Sequence, residues 1–241
     1  MSLTKTLADT TARVLLRSAE ITVVTDHGPH FRSIELGGPG LKNTTWVPGD
    51  KVQVRSRSAG FTLRTYTPID WDADRGSTRL LAYAHGAGPG SEWIKAATRG
   101  RPCQLLGPRR SLSLDGPAGP IVFVGDETSF AVVAAWQGAN PSERPAAVIV
   151  EVNDVEESAD VLSAVGIASP QLVAREAGAT HLGQLAAATA TALRAEPNGS
   201  LCLTGKAQSI ARIRQTLKAE GLSGRATRVK AYWDENRSGL D

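Results

Sequence analysis

Polar and apolar residues alternate strictly in Lys51-Val52-Gln53-Val54-Arg55, the pattern of a strand with one face buried. Pro48-Gly49-Asp50 ahead of it is a turn signal. Short mixed runs recur at Leu16–Val24, His30–Leu36, Phe61–Tyr66, Thr78–Ala84 and Arg101–Leu106. Together these predict six strands at the spacing of a small antiparallel β-barrel. One helical segment, Gly90–Ala97, falls between the last two, with Ser91 as its expected N-cap.

Past Asp115-Gly116-Pro117-Ala118-Gly119-Pro120 the pattern changes. Ile121-Val122-Phe123-Val124 is continuously apolar, and Ala147–Val152 reads as a second strand of that kind, with Leu172–Glu176, Ser200–Thr204 and Thr227–Trp233 as further strands. Helical stretches fall at Glu127–Gln137, His181–Arg194 and Ala207–Glu220. Apolar strands alternating with helices predict an α/β domain whose mainly parallel sheet is covered on both faces. The expected plan is two-domain, β then α/β, with residues 1–117 and 118–241 as the domains.

At 241 residues, 41% hydrophobic and 21% charged, the chain has material for a real core. No apolar run reaches the roughly 18 residues that a membrane helix needs. Met1-Ser2-Leu3-Thr4-Lys5-Thr6 lacks the basic-then-apolar order of a signal peptide, so a cytoplasmic location is expected. Cys103 and Cys202 are far apart, which argues against a disulfide framework or an iron–sulfur cluster. His27 and His30 bracket Gly28-Pro29 in a turn and make no metal spacing. Any electrons handled here must pass through an organic cofactor. The net charge of +3 does not point to nucleic acid, but its distribution is uneven. Residues 151–160 carry five acids and no base, whereas 201–230 carry Lys206, Arg212, Arg214, Lys218, Arg225, Arg228 and Lys230 against Glu220 alone. That basic set suits a solvated helix face or a surface that attracts an anionic ligand.

Two segments carry the chemistry. Arg64-Thr65-Tyr66-Thr67 puts a guanidinium and a phenol on the same face of one strand, since side chains alternate, and Pro68 is expected to end or bend that strand. His85-Gly86-Ala87-Gly88-Pro89-Gly90-Ser91-Glu92-Trp93 is a glycine-rich turn entering a helix. Arginine matches phosphate oxygens in bidentate fashion, and glycines let a backbone approach phosphate closely. The pair suits a ligand with a flat ring system and a pyrophosphate, with FAD the leading candidate. Gly125-Asp126-Glu127-Thr128-Ser129 follows the first apolar strand, where ligands dock in open α/β sheets. It has one glycine where the dinucleotide fingerprint has three, so spacing alone does not assign it.

These pieces, with Leu106-Gly107-Pro108-Arg109, Leu203-Thr204-Gly205 and Ala231-Tyr232-Trp233 in the same order, resemble the siderophore-interacting protein family. Its members are FAD-dependent ferric-siderophore reductases of the ferredoxin–NADP⁺ reductase superfamily, and the resemblance covers nearly the whole chain. It implies that Arg64 holds the FAD pyrophosphate, that Tyr66 lies against the isoalloxazine, and that Thr67 sits near the flavin N5 edge, with Thr65 beside them. It places His85, Gly86, Gly88 and Ser91 about the phosphate and ribityl part, counts Gly90 and Trp93 among the cofactor-binding residues, and sets Tyr232 and Trp233 across the flavin pocket. Gly125, Asp126, Glu127 and Thr128 would receive NADPH or NADH. No catalytic acid or nucleophile is implied. Oxygen-ligated iron(III) is held far more tightly than iron(II), so one electron releases it, and a flavin converts hydride pairs into single electrons.

Four positions depart from the family pattern. Asp234 and Glu235 follow Tyr-Trp where a basic residue is usual, and Lys206 follows Gly205 where an acid is common. Pro68 replaces an aliphatic residue, and Gly90 replaces alanine. Two of these reverse a charge near the expected acceptor site, for which Lys206 and Lys230 are the candidate substrate-binding residues. The expected partner is a ferric siderophore and the expected state a monomer. Two other readings stay open: a flavin module exchanging electrons with a ferredoxin-like protein or a quinone, and a binding protein without redox chemistry.

Overall fold

A computed structural model describes residues 16–56, 62–114, 119–224 and 226–235. The amino-terminal hexapeptide, Phe61, Arg225 and the expected boundary between residues 117 and 118 lie outside these. The chain divides into two compact units, Met1–Arg110 and Ser111–Asp241.

The first unit is antiparallel throughout. Its strands are β1 (Arg17–Asp26), β2 (Phe31–Gly37), β3 (Lys51–Arg55), β4 (Leu63–Tyr66), β5 (Pro68–Asp72), β6 (Ser77–Tyr83) and β7 (Pro102–Arg109). They form one sheet in the order β4-β3-β7-β1-β2-β6-β5. β4 and β5 stand at opposite ends of that order, yet Thr67 alone joins them. One residue spans only about 3.5 Å, so the sheet curls until its edges meet. Seven strands replace the six expected. The additional one, β5, starts at Pro68, which is tolerated as the first residue of a strand because its missing N–H removes no interior ladder bond. Ile21, Ile34, Leu36, Val52, Val54, Leu80 and Leu105 fill the interior from alternate strand positions.

The one α-helix described in this unit, α1 (Pro89–Lys95), begins one residue before the expected start. Its N-cap is Gly88 rather than Ser91. Ser91 lies inside the first turn, where its hydroxyl donates to the His85 carbonyl at 2.6 Å.

The second unit is a parallel sheet in the order β10-β9-β8-β11-β12. Its strands are β8 (Ile121–Asp126), β9 (Ala147–Val152), β10 (Gln171–Ala174), β11 (Ser200–Lys206) and β12 (Thr227–Trp233). β8 and β11 are the neighbours at which the order reverses, and ligands of such sheets bind outside the carboxyl ends there. The helices are α2 (Phe130–Ala139), α3 (Val155–Ala164), α4 (Leu182–Ala195) and α5 (Ala207–Ala219). Helix α3 was not expected, because its acids mask its pattern. Asp154 caps it by accepting the Glu157 N–H at 2.9 Å, while Ser158, Val161 and Leu162 turn inward. Glu151 is the one polar residue in the β9 run, and it is buried.

Candidate functional site

In the first unit, strand alternation places Arg64 and Tyr66 on one face of β4 and Thr65 on the other, where Gln53 Nε2 lies 3.5 Å from the Thr65 hydroxyl. Arg64 is exposed, with one guanidinium nitrogen donating to the adjacent Leu63 carbonyl at 2.8 Å. The Tyr66 ring is tilted against Trp93, with centroids 5.3 Å apart. Burial pushes the Tyr66 phenol above its ordinary value, so it stays neutral at any working pH.

Helix α1 starts against this face. A Cβ at Gly90 would lie 3.5 Å from Arg64 Cγ and 3.5 Å from the Tyr66 hydroxyl, which is ordinary contact. The alanine usual in the resembling family would fit there unchanged. The approach to α1 is open: His85, Gly86, Ala87 and Gly88 are exposed, and a Cβ at Gly86 or Gly88 would meet no atom within 4 Å. Gly86 has φ +70°, a conformation that favours glycine. His85 stacks on Tyr83 at 5.6 Å. Trp93, expected beside the cofactor, is a core residue at 5% exposure and packs against the site through Tyr66. Thr67 is the partly exposed link between β4 and β5. An exposed guanidinium, a phenol on the same face and an open glycine turn fit a pyrophosphate-linked flavin.

In the second unit, the carboxyl edge of the sheet carries a buried polar cluster. Asp126 ends β8 with 0% exposure and accepts the Trp233 indole N–H at 2.7 Å and the Thr128 N–H at 2.9 Å, as well as the Thr128 hydroxyl. Burial, with Glu127 and Glu151 nearby, pushes its carboxyl up to about 6, although both hydrogen-bonding partners oppose the rise. Glu127 takes a bidentate pair of bonds from Arg175 at 3.1 and 3.0 Å and one from the Asn153 N–H at 2.7 Å. Glu151 receives His181 Nε2 at 2.6 Å and the Ser209 hydroxyl. His181 Nδ1 accepts the Glu176 N–H, so Nε2 must carry the ring proton that Glu151 accepts.

This geometry corrects two expectations. Gly125, Asp126 and Glu127 are buried and engaged inside the protein, leaving only Thr128 of that segment partly open to a nucleotide. Gly125 is small of necessity, since a Cβ there would collide with the Ser129 side chain at 2.3–2.6 Å. Lys206 is not presented to an acceptor either. It is 8% exposed, its ammonium pairs with Glu235 at 2.6 Å, and it lies 5.2 Å from the Trp233 ring centroid. The two charge reversals are therefore partners: the acid after Tyr-Trp answers the base after Gly205. Lys230 sits on the edge strand β12, partly exposed, with Tyr232 and Trp233 farther along the same strand.

Sequence reasoning missed Arg175, His181 and Ser209, and it read Glu151 only as one of a run of acids. They come from four separate stretches of the chain, β9, the residue after β10, the N-cap of α4 and the first turn of α5, so only the acid in an otherwise apolar β9 offered a signal.

Residues 49–112 match the siderophore-interacting FAD-binding domain, and residues 118–236 match the family described as siderophore-interacting protein. The siderophore-interacting protein SipS from Aeromonas hydrophila superposes with a TM-score of 0.73 at 17% identity, covering 92% of this chain and 93% of that one. A siderophore utilization protein from T. fusca gives 0.68 at 22% identity, covering 94% and 95%. Ferredoxin-NADP+ reductase from Plasmodium falciparum gives 0.69 at 11% identity, covering 90% and 96%. At these identities the likeness establishes a shared two-domain fold. No curated protein matches the chain.

Proposed function

Because this chain belongs to the siderophore-interacting protein family and is a flavin-dependent reductase by its matched domains, we propose that it reduces ferric siderophores with electrons from NADH or NADPH, passed through FAD. The observation that carries this reading is the shared face of Arg64 and Tyr66 beside the open Gly86–Gly88 turn.

When bound, FAD supplies the conversion of a two-electron donor into a one-electron reductant. The chain's own residues bind and orient. Arg64 offers a charge-assisted fork to phosphate oxygens. Tyr66, held by Trp93, gives a neutral flat surface for a ring. Thr67 places a hydroxyl at the end of that strand. Thr128, beside the buried Asp126, is the polar group at the β8 end that a nucleotide can reach. Tyr232 and Trp233 end β12 and supply aromatic surface. We place the activity in the cytoplasm, where reduced nicotinamide cofactors are supplied; among the described residues no helix is long and apolar enough to cross a membrane.

The test is an anaerobic visible titration of the FAD-loaded protein. The flavin band near ~450 nm should bleach on adding NADH or NADPH and return on adding a ferric siderophore, with iron(II) captured by a chelator. A band that bleaches but does not recover with any ferric siderophore sinks the acceptor assignment. The exposed Arg212, Arg214 and Lys218 on α5 favour one other reading, electron exchange with an acidic ferredoxin-like protein. It requires a turnover that falls steeply with salt when that protein is present.

A further inference from the structure

The end of β12 is built to aim one side chain. Gly205 of β11 pairs with Ala231, but Lys206 pairs with Trp233, so Tyr232 is an extra residue in the ladder. Such a bulge turns the residues that follow it. Trp233 is thereby brought opposite the end of β11, and its indole N–H reaches Asp126 at the end of β8. The carboxylate can lie there because residue 205 has no side chain: a Cβ on Gly205 would stand 2.5 Å from Asp126 Oδ2. Two cations flank the ring, Arg175 at 6.0 Å and Lys206 at 5.2 Å from its centroid. Each is itself tied down, Arg175 by Glu127 and Lys206 by Glu235.

We propose that Asp126 is a positioning residue for Trp233, its ionised carboxylate holding the indole between Arg175 and Lys206, and that neutralising this carboxylate frees the ring. The proposal concerns the second unit alone and extends the proposed function to what sets the orientation of the Trp233 ring there. Three donors converge on the carboxylate: the indole N–H, the Thr128 N–H and the Thr128 hydroxyl. A carboxylate accepts all three with charge assistance. A neutral acid must place a proton among them and loses that assistance. The charged groups around it are Glu127 on its own loop, Glu151 from β9, Arg175 after β10, Lys206 at the end of β11 and Glu235 after β12. Burial opposes ionisation most, with Glu127 and Glu151 adding to it against the hydrogen bonds, and the carboxyl is brought up to about 6, within reach of ordinary conditions. The ring is then ordered above that pH and loosened below it.

The test uses the full-length protein labelled with 5-fluorotryptophan and read by ¹⁹F NMR from pH 4.5 to 8. The Trp233 signal is the one missing from Trp233→Phe. It should titrate with a midpoint near 6 in the wild type, and in Asp126→Asn it should stay fixed at its low-pH position. The signals of Trp46, Trp71, Trp93 and Trp136 serve as internal controls of folding. A Trp233 signal that titrates identically in Asp126→Asn, or that does not titrate at all in the wild type, overturns the proposal. Should Asp126→Asn fail to fold, Trp233→Phe carries the test through the ¹³C carboxyl signal of Asp126. Losing the indole donor should raise its midpoint, and an unmoved midpoint overturns the proposal. Both readouts are independent of turnover, so a protein that binds no flavin but shows this titration contradicts the proposed function and leaves the role of Asp126 standing.

Discussion

Gly205→Ala probes the packing beneath Trp233 most sharply. Gly205 has φ +100°, and an alanine there would press its Cβ to 2.5 Å from Asp126 Oδ2 and 2.6 Å from Asp126 Cγ. The backbone conformation alone costs an L-residue roughly 1–2 kcal/mol. Displacing a buried carboxylate from its indole partner adds about 1–3 kcal/mol for the polar group left unsatisfied. The expected loss is therefore roughly 3 kcal/mol, a fall in Tm of roughly 10 °C for a unit of this size. Gly178→Ala is the matched control, because Gly178 has φ +70° and no atom within 4 Å of the added Cβ. It should cost roughly 1 kcal/mol, for backbone strain only. Urea unfolding followed by far-UV circular dichroism reports on this unit, which holds four of the five α-helices described. If Gly205→Ala costs no more than Gly178→Ala, the close approach of Asp126 to β11 is not a real constraint and the clamp on Trp233 fails with it.

Lys206→Glu should destabilise the second unit, whereas Lys206→Glu combined with Glu235→Lys should recover most of the loss. The coupling is roughly 1 kcal/mol, discounted for the exposure of Glu235, and a double-mutant cycle in urea with zero coupling would show that the two reversals are unrelated. Asp126 makes stability fall as pH rises. Between its ordinary 3.8 and about 6 the folded chain keeps a proton that the unfolded chain has released. That amounts to ~3 kcal/mol lost between pH 4 and 7, and flat behaviour above. Subtracting the pH profile of Asp126→Asn isolates it, and a difference that rises with pH would reverse the sign of the argument. Gly90→Ala should raise the stability of the first unit by roughly 0.5–1 kcal/mol, because its Cβ meets only ordinary contacts in a helix. It should leave FAD affinity within twofold by fluorescence titration; a larger loss would mean that the ligand approaches closer than the turn suggests.

Much of the architecture was legible because periodicity reports burial. The alternation in Lys51–Arg55 became β3, and the apolar Ile121–Val124 became a strand buried on both faces, as a parallel sheet requires. Two elements were missed for a common reason: a residue with one strong local meaning hid another. Pro68 reads as a stop, yet it opens β5. The acids of 154–160 read as a charge run, yet Asp154 and Glu157 are the cap of α3. The site divides similarly. Alternation alone put Arg64 and Tyr66 on one face. The Lys206–Glu235 pair spans 29 residues and depends on a bulge at Tyr232, which no local pattern announces. The two reversed charges were visible separately, and only the register of β11 with β12 made them one feature. The charge on Asp126 that orders Trp233 is also one that folding would rather neutralise, a local cost of the kind that gathers at functional sites.

The central claim, that the face of β4 beside the Gly86–Gly88 turn holds FAD, is tested most directly by the affinity of the purified chain for FAD with and without Arg64. Wild type should bind FAD tightly enough to purify yellow. Arg64→Ala should weaken binding by about 100-fold, the loss of a charge-assisted phosphate contact. Its stability should be unchanged, because Arg64 is exposed. A wild-type protein that takes up no FAD, or an Arg64→Ala variant that binds it equally well, would contradict the account.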